Sequence, residues 1–435
     1  MTLVYFILIL GIIILIHEFG HYFFAKRAGI YVYEFSIGMG PRIFKWTREG
    51  DETEYSIRLI PIGGFVQMAG EEVEDDPDVP KSKKFLNKTF GQKFMTVIAG
   101  IMNNFILAII LLFLIALFNG APQNKAIVGE VSKDMPAYSA GLMKGDRILK
   151  INNKKAASYD IFTLELAVSS GKSTVSEKTI TLEVDRNGEV KEVTIEPKKV
   201  TEGGNEVYRY GFAINDEVKT GFFASLKYAF TKTLSLLYQM VLTIFYLVTG
   251  TIGLKSFSGP VGIYNIVGQA ASSGFWSLVS LTALLSINVG FINLLPLPAF
   301  DGGRILFILI EKISGRKVDP KLENTIHSVG FFLLMFLMLL ITYNDIIRLI
   351  KWNFKFLLCV GGGMVDALLW GGSGEIRVSS NLIPRTIIVI NLLLHIISIL
   401  LIDIFLYKKD EYTRLNYFYI LNYPLLFSLN YLIKL

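Results

Sequence analysis

The sequence predicts a polytopic α-helical membrane protein that carries one β-rich domain between its membrane-spanning helices. Of its 435 residues, 52% are hydrophobic and only 18% are charged, whereas soluble domains are about 25% charged. The 80 charged residues, 43 basic and 37 acidic, are unevenly placed, because 52 of them lie in residues 26–93 and 121–220. This pattern excludes a single soluble globule, a disordered chain and a nucleic-acid-binding protein of the usual basic kind. The lone cysteine, Cys359, excludes an intramolecular disulfide and a cysteine-based zinc cluster.

Long apolar windows indicate the membrane-spanning helices, each of which needs about 20 residues to cross a bilayer. We expect the first window to be an uncleaved membrane anchor and not a signal peptide, because it lacks a basic n-region and is followed by Lys26 and Arg27 instead of a cleavage site. Two further windows, residues 233–254 and 386–402, are also apolar and long. The four windows that we expect to form the core spans are residues 3–25, 94–118, 276–300 and 326–344.

The distribution of basic residues predicts the orientation, because short loops rich in Lys and Arg stay in the cytoplasm. Residues 26–93 carry 11 Lys and Arg, and residues 301–325 carry five. We therefore expect both segments to lie inside, and Met1 and residues 121–220 to lie outside.

The first window contains an H-E-x-x-H sequence formed by His17, Glu18 and His21. On a helix, residues four apart share a face, so that both imidazoles can reach one metal ion while Glu18 acts on water. A chance match is the alternative. These three are the only Asp, Glu, Lys, Arg or His residues in the window, and a charged group in a bilayer costs about 2.5–3.5 kcal/mol. The context therefore favours a metal site, and zinc suits two imidazoles and an oxygen ligand.

Asp301 is the candidate third ligand. It follows Pro296 and Pro298, which cannot continue a regular helix, and it precedes two glycines that allow close approach to a metal. Unwound backbone at membrane depth is tolerated only where protein or a cavity satisfies it. The alternative is an ordinary helix-capping aspartate. His327 and His395 have no partner motif and are interpreted as polar residues near a helix end or at a helix contact.

These motifs resemble those of the site-2 protease family, the intramembrane zinc metalloproteases, and are most similar to its bacterial branch of regulated intramembrane proteolysis. The resemblance covers about residues 1–351. Its N-x-x-P-x-P-x-x-D-G motif lies at residues 293–302, with Phe300 in place of the common Leu. The second-span motif lies at residues 99–105, where Ile101 replaces the usual Pro.

The resemblance implies one Zn²⁺ bound by His17, His21 and Asp301, with Glu18 as the general base. It further implies a membrane-associated β-hairpin around residues 55–68, whose edge at residues 57–62 or 65–68 holds an unwound substrate. A tight interfacial turn at Gly63 and Gly64 is the simpler interpretation of this segment. The expected location is the bacterial cytoplasmic (inner) membrane, with the active site toward the cytoplasm, and the expected partners are lipid and single-span membrane substrates, without nucleic acid. The expected substrate-positioning residues are Asn293, Gly63, Gly64 and Phe65.

Topology constrains the window at residues 233–254. Asp301 can reach the two histidines only if residues 276–300 run from outside to inside. We therefore expect residues 233–254 to lie along the outer interface or to re-enter, which leaves four core spans.

Residues 126–197 change to strand-like alternation, with turns at Asn152-Asn153 and Asn187-Gly188. Residues 135–148 resemble the P-A-x-x-A-G-L-x-x-G-D-x-I signature of PDZ domains. Such a domain can bind an extended peptide, or it can act as a size filter that excludes substrates whose outer part has not been trimmed. We favour the filter.

The expected organisation has five parts, and the last has no catalytic motif. Residues 352–435 form an extra anchor of one or two spans, a partner contact or an unrelated fusion. The parts are residues 1–120 (two spans, metal motif and hairpin), 121–215 (PDZ domain), 216–275 (interfacial or re-entrant segment), 276–351 (last two core spans) and 352–435 (tail).

The predicted function is an intramembrane zinc metalloendopeptidase that cleaves anti-sigma factors or remnant signal peptides. The alternative is a non-catalytic PDZ adaptor with a degenerate metal site, although no residue of the metal motifs is lost.

Overall fold

The computed structural model describes residues 1–71, 77–170, 178–202, 205–214, 218–253 and 259–360. The window at residues 386–402 and His395 therefore lie outside the described residues. The helices are α1 (Thr2–Arg27), α2 (Phe90–Asn119), α3 (Pro136–Ser139), α4 (Tyr159–Ser170), α5 (Phe222–Val248), α6 (Pro260–Ser272), α7 (Phe275–Leu294), α8 (Asp301–Ser314) and α9 (Pro320–Val360). The strands are β1 (Val32–Thr47), β2 (Glu54–Met68), β3 (Ala121–Pro122), β4 (Val128–Val131), β5 (Arg147–Ile151), β6 (Lys154–Lys155), β7 (Ile180–Arg186), β8 (Glu189–Ile195), β9 (Lys198–Glu202), β10 (Asn205–Arg209), β11 (Phe212–Ile214) and β12 (Val218–Lys219).

Five helices in the described part of the chain are long and apolar enough to cross a membrane, which confirms a polytopic helical membrane protein. Four of them, α1, α2, α7 and α9, correspond to the four predicted windows. The fifth, α5, has the lowest mean hydropathy, 1.3. Residues 233–248 of this apolar window and the lead-in from Phe222 thus form one continuous helix.

Contacts along α2 fix the relative directions of three helices. His17 lies beside Asn104, whereas His21, one turn later, reaches back to Thr96; α1 and α2 are therefore antiparallel. The rings of Phe118 and Trp276 are 5.5 Å apart, at the end of α2 and the start of α7. Because α7 is also antiparallel to α2, α1 and α7 run in the same direction.

A long hairpin follows α1, and it differs from the prediction in which residues build it. Residues 55–68 do not contain the whole hairpin: they lie in β2, and its partner β1 precedes them. Gly63 adopts a positive φ of 93° inside β2, where it bends the strand without ending it. The hairpin folds back on itself, because Ile37 in β1 pairs with both Gly64 and Ile57 of β2.

The β-rich segment between α2 and α5 has its own apolar core. A four-stranded antiparallel sheet has the order β6-β5-β7-β8, and β3 pairs with β12 where the segment leaves and rejoins the helices. Its fully buried residues include Leu142, Ile148 and Leu182. Asn152 and Asn187 have positive φ values of 46° and 55°, as expected for the predicted turns.

Candidate metal centre and active site

The three predicted metal ligands converge between α1 and the start of α8. One turn of α1 separates His17 from His21, so that their Nε2 atoms lie 3.1 Å apart. The Oδ2 atom of Asp301 is 3.0 Å from Nε2 of His17 and 3.3 Å from Nε2 of His21. The ligand atoms of the three side chains all lie within 4.8 Å of one another. Residues almost 300 positions apart therefore form one group.

The loop between α7 and α8 carries Asp301 to this position. Because Pro296 and Pro298 interrupt the helical path, α8 begins anew at Asp301, and its first turn packs against the loop. A Cβ atom on Gly302 would lie 2.2 Å from the carbonyl oxygen of Leu295. Glycine is therefore required here for close packing.

The donor set fits Zn²⁺, which binds imidazole nitrogens and carboxylate oxygens and keeps an open position in catalytic sites. Oδ2 of Asp301 is buried and has no hydrogen-bond partner among the described residues, although two imidazole nitrogens lie nearby. This unpartnered carboxylate oxygen is therefore a candidate metal-binding atom.

Two residues of α2 contact the opposite side of the imidazoles. Nδ1–H of His21 donates to the carbonyl oxygen of Thr96 at 2.9 Å, which leaves its Nε2 lone pair for a metal. The side-chain nitrogen of Asn104 is 3.1 Å from Nδ1 of His17, while Oδ1 of Asn104 has no hydrogen-bond partner within the described part of the chain. Turning the amide over brings Oδ1 to Nδ1–H of His17 and leaves the Nε2 of that ring for a metal as well.

Glu18 lies between the metal ligands and β2. The Val66 backbone hydrogen-bonds its carboxylate, and His21, His17 and Asp301 are within electrostatic reach. These groups border a cavity of about 700 Å³. Its lining includes Phe65, Val66, Asn293, Phe300, Arg304, His327, Phe331 and Phe332.

The predicted substrate-positioning residues occupy different places around this cavity. Asn293 and Phe65 line it, and a Cβ atom on Gly64 would be 3.6 Å from Cγ of Glu18. Gly63 instead packs toward Met39, where a Cβ atom would be 2.8 Å from its Cε. Gly63 is absent from the lining residues.

Sequence reasoning did not assign four residues to this site: Thr96, Asn104, Arg304 and His327, the last of which was interpreted as a polar residue near a helix end or at a helix contact. Asn104 lies in the recognised second-span motif, and Arg304 follows Asp301 by one helical turn, so both could have been considered. Arg304 forms an ion pair with Glu71, just beyond β2. Thr96 contributes only its backbone carbonyl oxygen, and no sequence pattern indicates such a role.

Comparisons with known proteins agree with this geometry. The chain matches Peptidase family M50 over residues 5–337. It is 32% identical to the zinc metalloprotease RasP of Oceanobacillus iheyensis over 428 residues, covering 80% of this chain and 99% of that protein. A putative zinc metalloprotease of Clostridium acetobutylicum is 36% identical over 342 residues, covering 78% of this chain and 96% of that protein. The zinc metalloprotease RasP of Bacillus licheniformis is 34% identical over 425 residues, covering 80% of this chain and 99% of that protein.

Proposed function

The chain belongs to Peptidase family M50 and is an intramembrane zinc metalloprotease, and we propose that it hydrolyses peptide bonds within or near the membrane-spanning segments of single-span proteins, in regulated intramembrane proteolysis. The convergence of His17, His21 and Asp301 beside Glu18 carries this proposal, because α1, which bears three of these residues, is apolar enough to lie in a bilayer. Such a site reaches peptide bonds that are themselves in or near the membrane. The substrate class is anti-sigma factors or remnant signal peptides, as the family resemblance implies.

The catalytic step requires a polarised carbonyl, an activated water and a proton carrier. His17, His21 and Asp301 would hold Zn²⁺, which when bound polarises a carbonyl and lowers the pKa of water. Glu18 accepts the proton of the attacking water and delivers it to the leaving amide nitrogen. Its location beside Val66 supports this role, because β2 then borders both the base and the substrate path.

The edge of β2 at residues 65–68 holds the substrate in an extended conformation by strand addition. The other candidate edge, residues 57–62, is already occupied at Ile57, which pairs with Ile37 and with Phe44. Phe65 and Val66, in contrast, each pair with one residue of β1 only, Ser36 and Phe35, and the backbone of Val66 hydrogen-bonds the Glu18 carboxylate. Asn293, in the cavity wall, offers an amide to the substrate backbone.

Residues 121–215 form an extracytoplasmic PDZ domain that filters substrates by size. In this arrangement residues 26–93 and 301–325 face the cytoplasm, and the active site lies toward that side. The antiparallel packing of α2 and α7 supports the placement of the end of α2 and the start of α7 on one side of the membrane. The excess of Lys and Arg in residues 26–93 and 301–325 supports assigning the opposite side to the cytoplasm.

The helix α5 lies at the outer interface or re-enters, so that four core spans remain. Lys232 and Ser235 contact Asp160, and Tyr246 contacts Glu165. These contacts extend along about 21 Å of helix and all involve the β-rich segment. A helix that crosses the bilayer would move away from a domain outside it.

Cleavage by the purified full-length chain in liposomes tests the proposed function. A single-span substrate is incubated with native protein, with Glu18→Gln, and with native protein plus a zinc chelator. Loss of the proton carrier or of the metal is expected to reduce cleavage at least about 100-fold. Glu49→Gln, which removes an exposed carboxylate in the hairpin turn, is the matched control and retains activity. Equal cleavage by native protein and Glu18→Gln would exclude this mechanism, and no cleavage by either would favour the adaptor.

A further inference from the structure

His327 connects α9 to the loop that carries Asp301. Its Nδ1 atom accepts a hydrogen bond from the backbone N–H of Ala299 at 3.0 Å, two residues before Asp301. His327 also lines the same cavity as Glu18 and Asp301.

The loop needs this acceptor for two reasons. Ala299 has a φ of 73°, a left-handed conformation that a residue with a Cβ atom adopts only where the surroundings hold it. The neighbouring loop N–H groups of Leu297 and Phe300 donate to loop carbonyl oxygens, whereas that of Ala299 points to the imidazole. Without His327, a strained residue would also lose the partner of its N–H group, and such unpaired groups are rare in folded proteins.

The packing of α9 on the loop restricts the imidazole to this position. A Cβ atom on Gly330 would lie 2.3 Å from Cβ of Pro298, so α9 directly contacts the proline segment. A Cβ atom on Gly303 would lie 3.3 Å from Cε1 of His327. The ring therefore lies between the loop and the first turn of α8.

We propose that His327 is a positioning residue of the metal centre, which acts through Ala299 to hold Asp301 on the two histidines of α1. This inference rests on the proposed zinc site but adds a side chain from α9 to the residues that shape it. Because Nδ1 accepts a hydrogen bond, the neutral ring carries its proton on Nε2, which has no hydrogen-bond partner among the described residues. A direct contact of Nε2–H with the substrate is therefore the competing role that the experiment must separate.

Three substitutions separate the two roles by atom position. His327→Asn places an amide oxygen where Nδ1 lies and preserves the acceptor for Ala299. His327→Gln places its amide near Nε2 and preserves the group that would face a substrate. His327→Phe keeps a ring but removes both polar atoms.

The primary measurement is Zn²⁺ affinity of the full-length chain, by competition with a chromophoric chelator, accompanied by the visible absorption spectrum of the Co²⁺-substituted protein. Loss of a residue that orients a ligand weakens metal binding about 10- to 100-fold. We expect this loss, together with an altered Co²⁺ spectrum, for His327→Phe and His327→Gln, and near-native affinity for His327→Asn. Thermal unfolding of the metal-free proteins shows whether the variants remain folded.

The outcomes are distinct. Native Zn²⁺ affinity in all three variants would overturn the inference. The reverse of the expected order, with native Zn²⁺ affinity in His327→Gln and a loss in His327→Asn, would also overturn it. Unchanged zinc affinity in every variant, with a raised KM for the substrate in His327→Phe and His327→Asn, would assign the Nε2–H role instead. If His327→Phe does not fold, the comparison of Asn with Gln still decides. If native protein itself binds no zinc, the proposed function fails first, and that failure is visible before any variant is compared.

Discussion

At the scale of single residues, the hydrogen bonds behind each imidazole determine which nitrogen can bind a metal. The partner of His21 is a backbone carbonyl oxygen, which no side-chain substitution at Thr96 removes. The partner of His17 is the side chain of Asn104, which is fully buried. The two ligands on α1 therefore differ in how sensitive they are to mutation of α2.

The Asn104→Ala variant is expected to bind Zn²⁺ about 10- to 100-fold more weakly, because His17 loses the partner that fixes its tautomer. Asn104→Asp keeps an acceptor oxygen and is expected to recover most of the affinity. The measurement is chelator competition with the purified proteins.

Asn103→Ala provides the matched control for that prediction. Asn103 is the adjacent residue, and its side chain donates to the carbonyl oxygen of Ile16 at 3.0 Å without contacting an imidazole. Equal loss of zinc affinity in the Asn103→Ala and Asn104→Ala variants would show that only general packing of α1 on α2 matters.

At the scale of elements, the close contact of α1 and α2 depends on glycine on both sides. A Cβ atom on Gly20 would lie 2.5 Å from the carbonyl oxygen of Ala99. A Cβ atom on Gly100 would lie 2.3 Å from Nε2 of His21. The second contact involves the nitrogen atom that we propose binds the metal, so the spacing of the two helices is part of the proposed site.

Gly100→Ala is expected to displace His21, lower zinc affinity at least about 10-fold and destabilise the helix pair by about 1–3 kcal/mol through overpacking. Gly91→Ala is the control, because Gly91 lies in the same helix and nothing is within 4 Å of its added Cβ atom. Zinc titration and thermal unfolding measure the two effects. Native zinc binding in Gly100→Ala would contradict the inferred contact.

At the scale of the whole molecule, the β-rich segment contacts α5 largely through buried polar groups. Asp160 accepts from Lys232 at 2.5 Å and from Ser235 at 2.7 Å, and Glu165 accepts from Tyr246 at 2.5 Å. Buried charges are costly when their partners are removed. The position of this segment over the helices therefore depends on a few specific pairs.

Asp160→Ala is expected to weaken this contact by about 3 kcal/mol, because Lys232 is left without its buried partner. Faster hydrogen exchange in α4 is the direct measurement. If the segment filters substrates by size, cleavage of an untrimmed substrate should rise relative to that of a trimmed one.

Glu189→Ala is the control for this experiment. Glu189 belongs to the same segment, but its side chain is 75% exposed and pairs with Lys191, and such surface pairs contribute about 0–1 kcal/mol. An unchanged exchange rate and an unchanged substrate ratio in Asp160→Ala would contradict the proposed docking and its role in filtering.

Local patterns were sufficient to predict most elements and to select three candidate metal ligands that the structure brings together. Apolar windows predicted four of the five long helices as core spans, because the bilayer demands about 20 apolar residues regardless of the neighbours. His17 and His21 were predicted from helical spacing, and Asp301 from a loop that no regular helix could accommodate. Each of these constraints acts within one short segment.

The sequence by itself determined the membrane class and the family and indicated His17, His21 and Asp301 as candidate metal ligands, because these follow from composition and from motifs read within a few residues. Only the tertiary structure decided that residues 55–68 belong to one bent strand, that Asn104 and Gly100 contact the imidazoles, and that His327 holds Ala299. These contacts join residues that are distant in the chain. They depend on how the helices and strands pack against one another, which no single segment encodes.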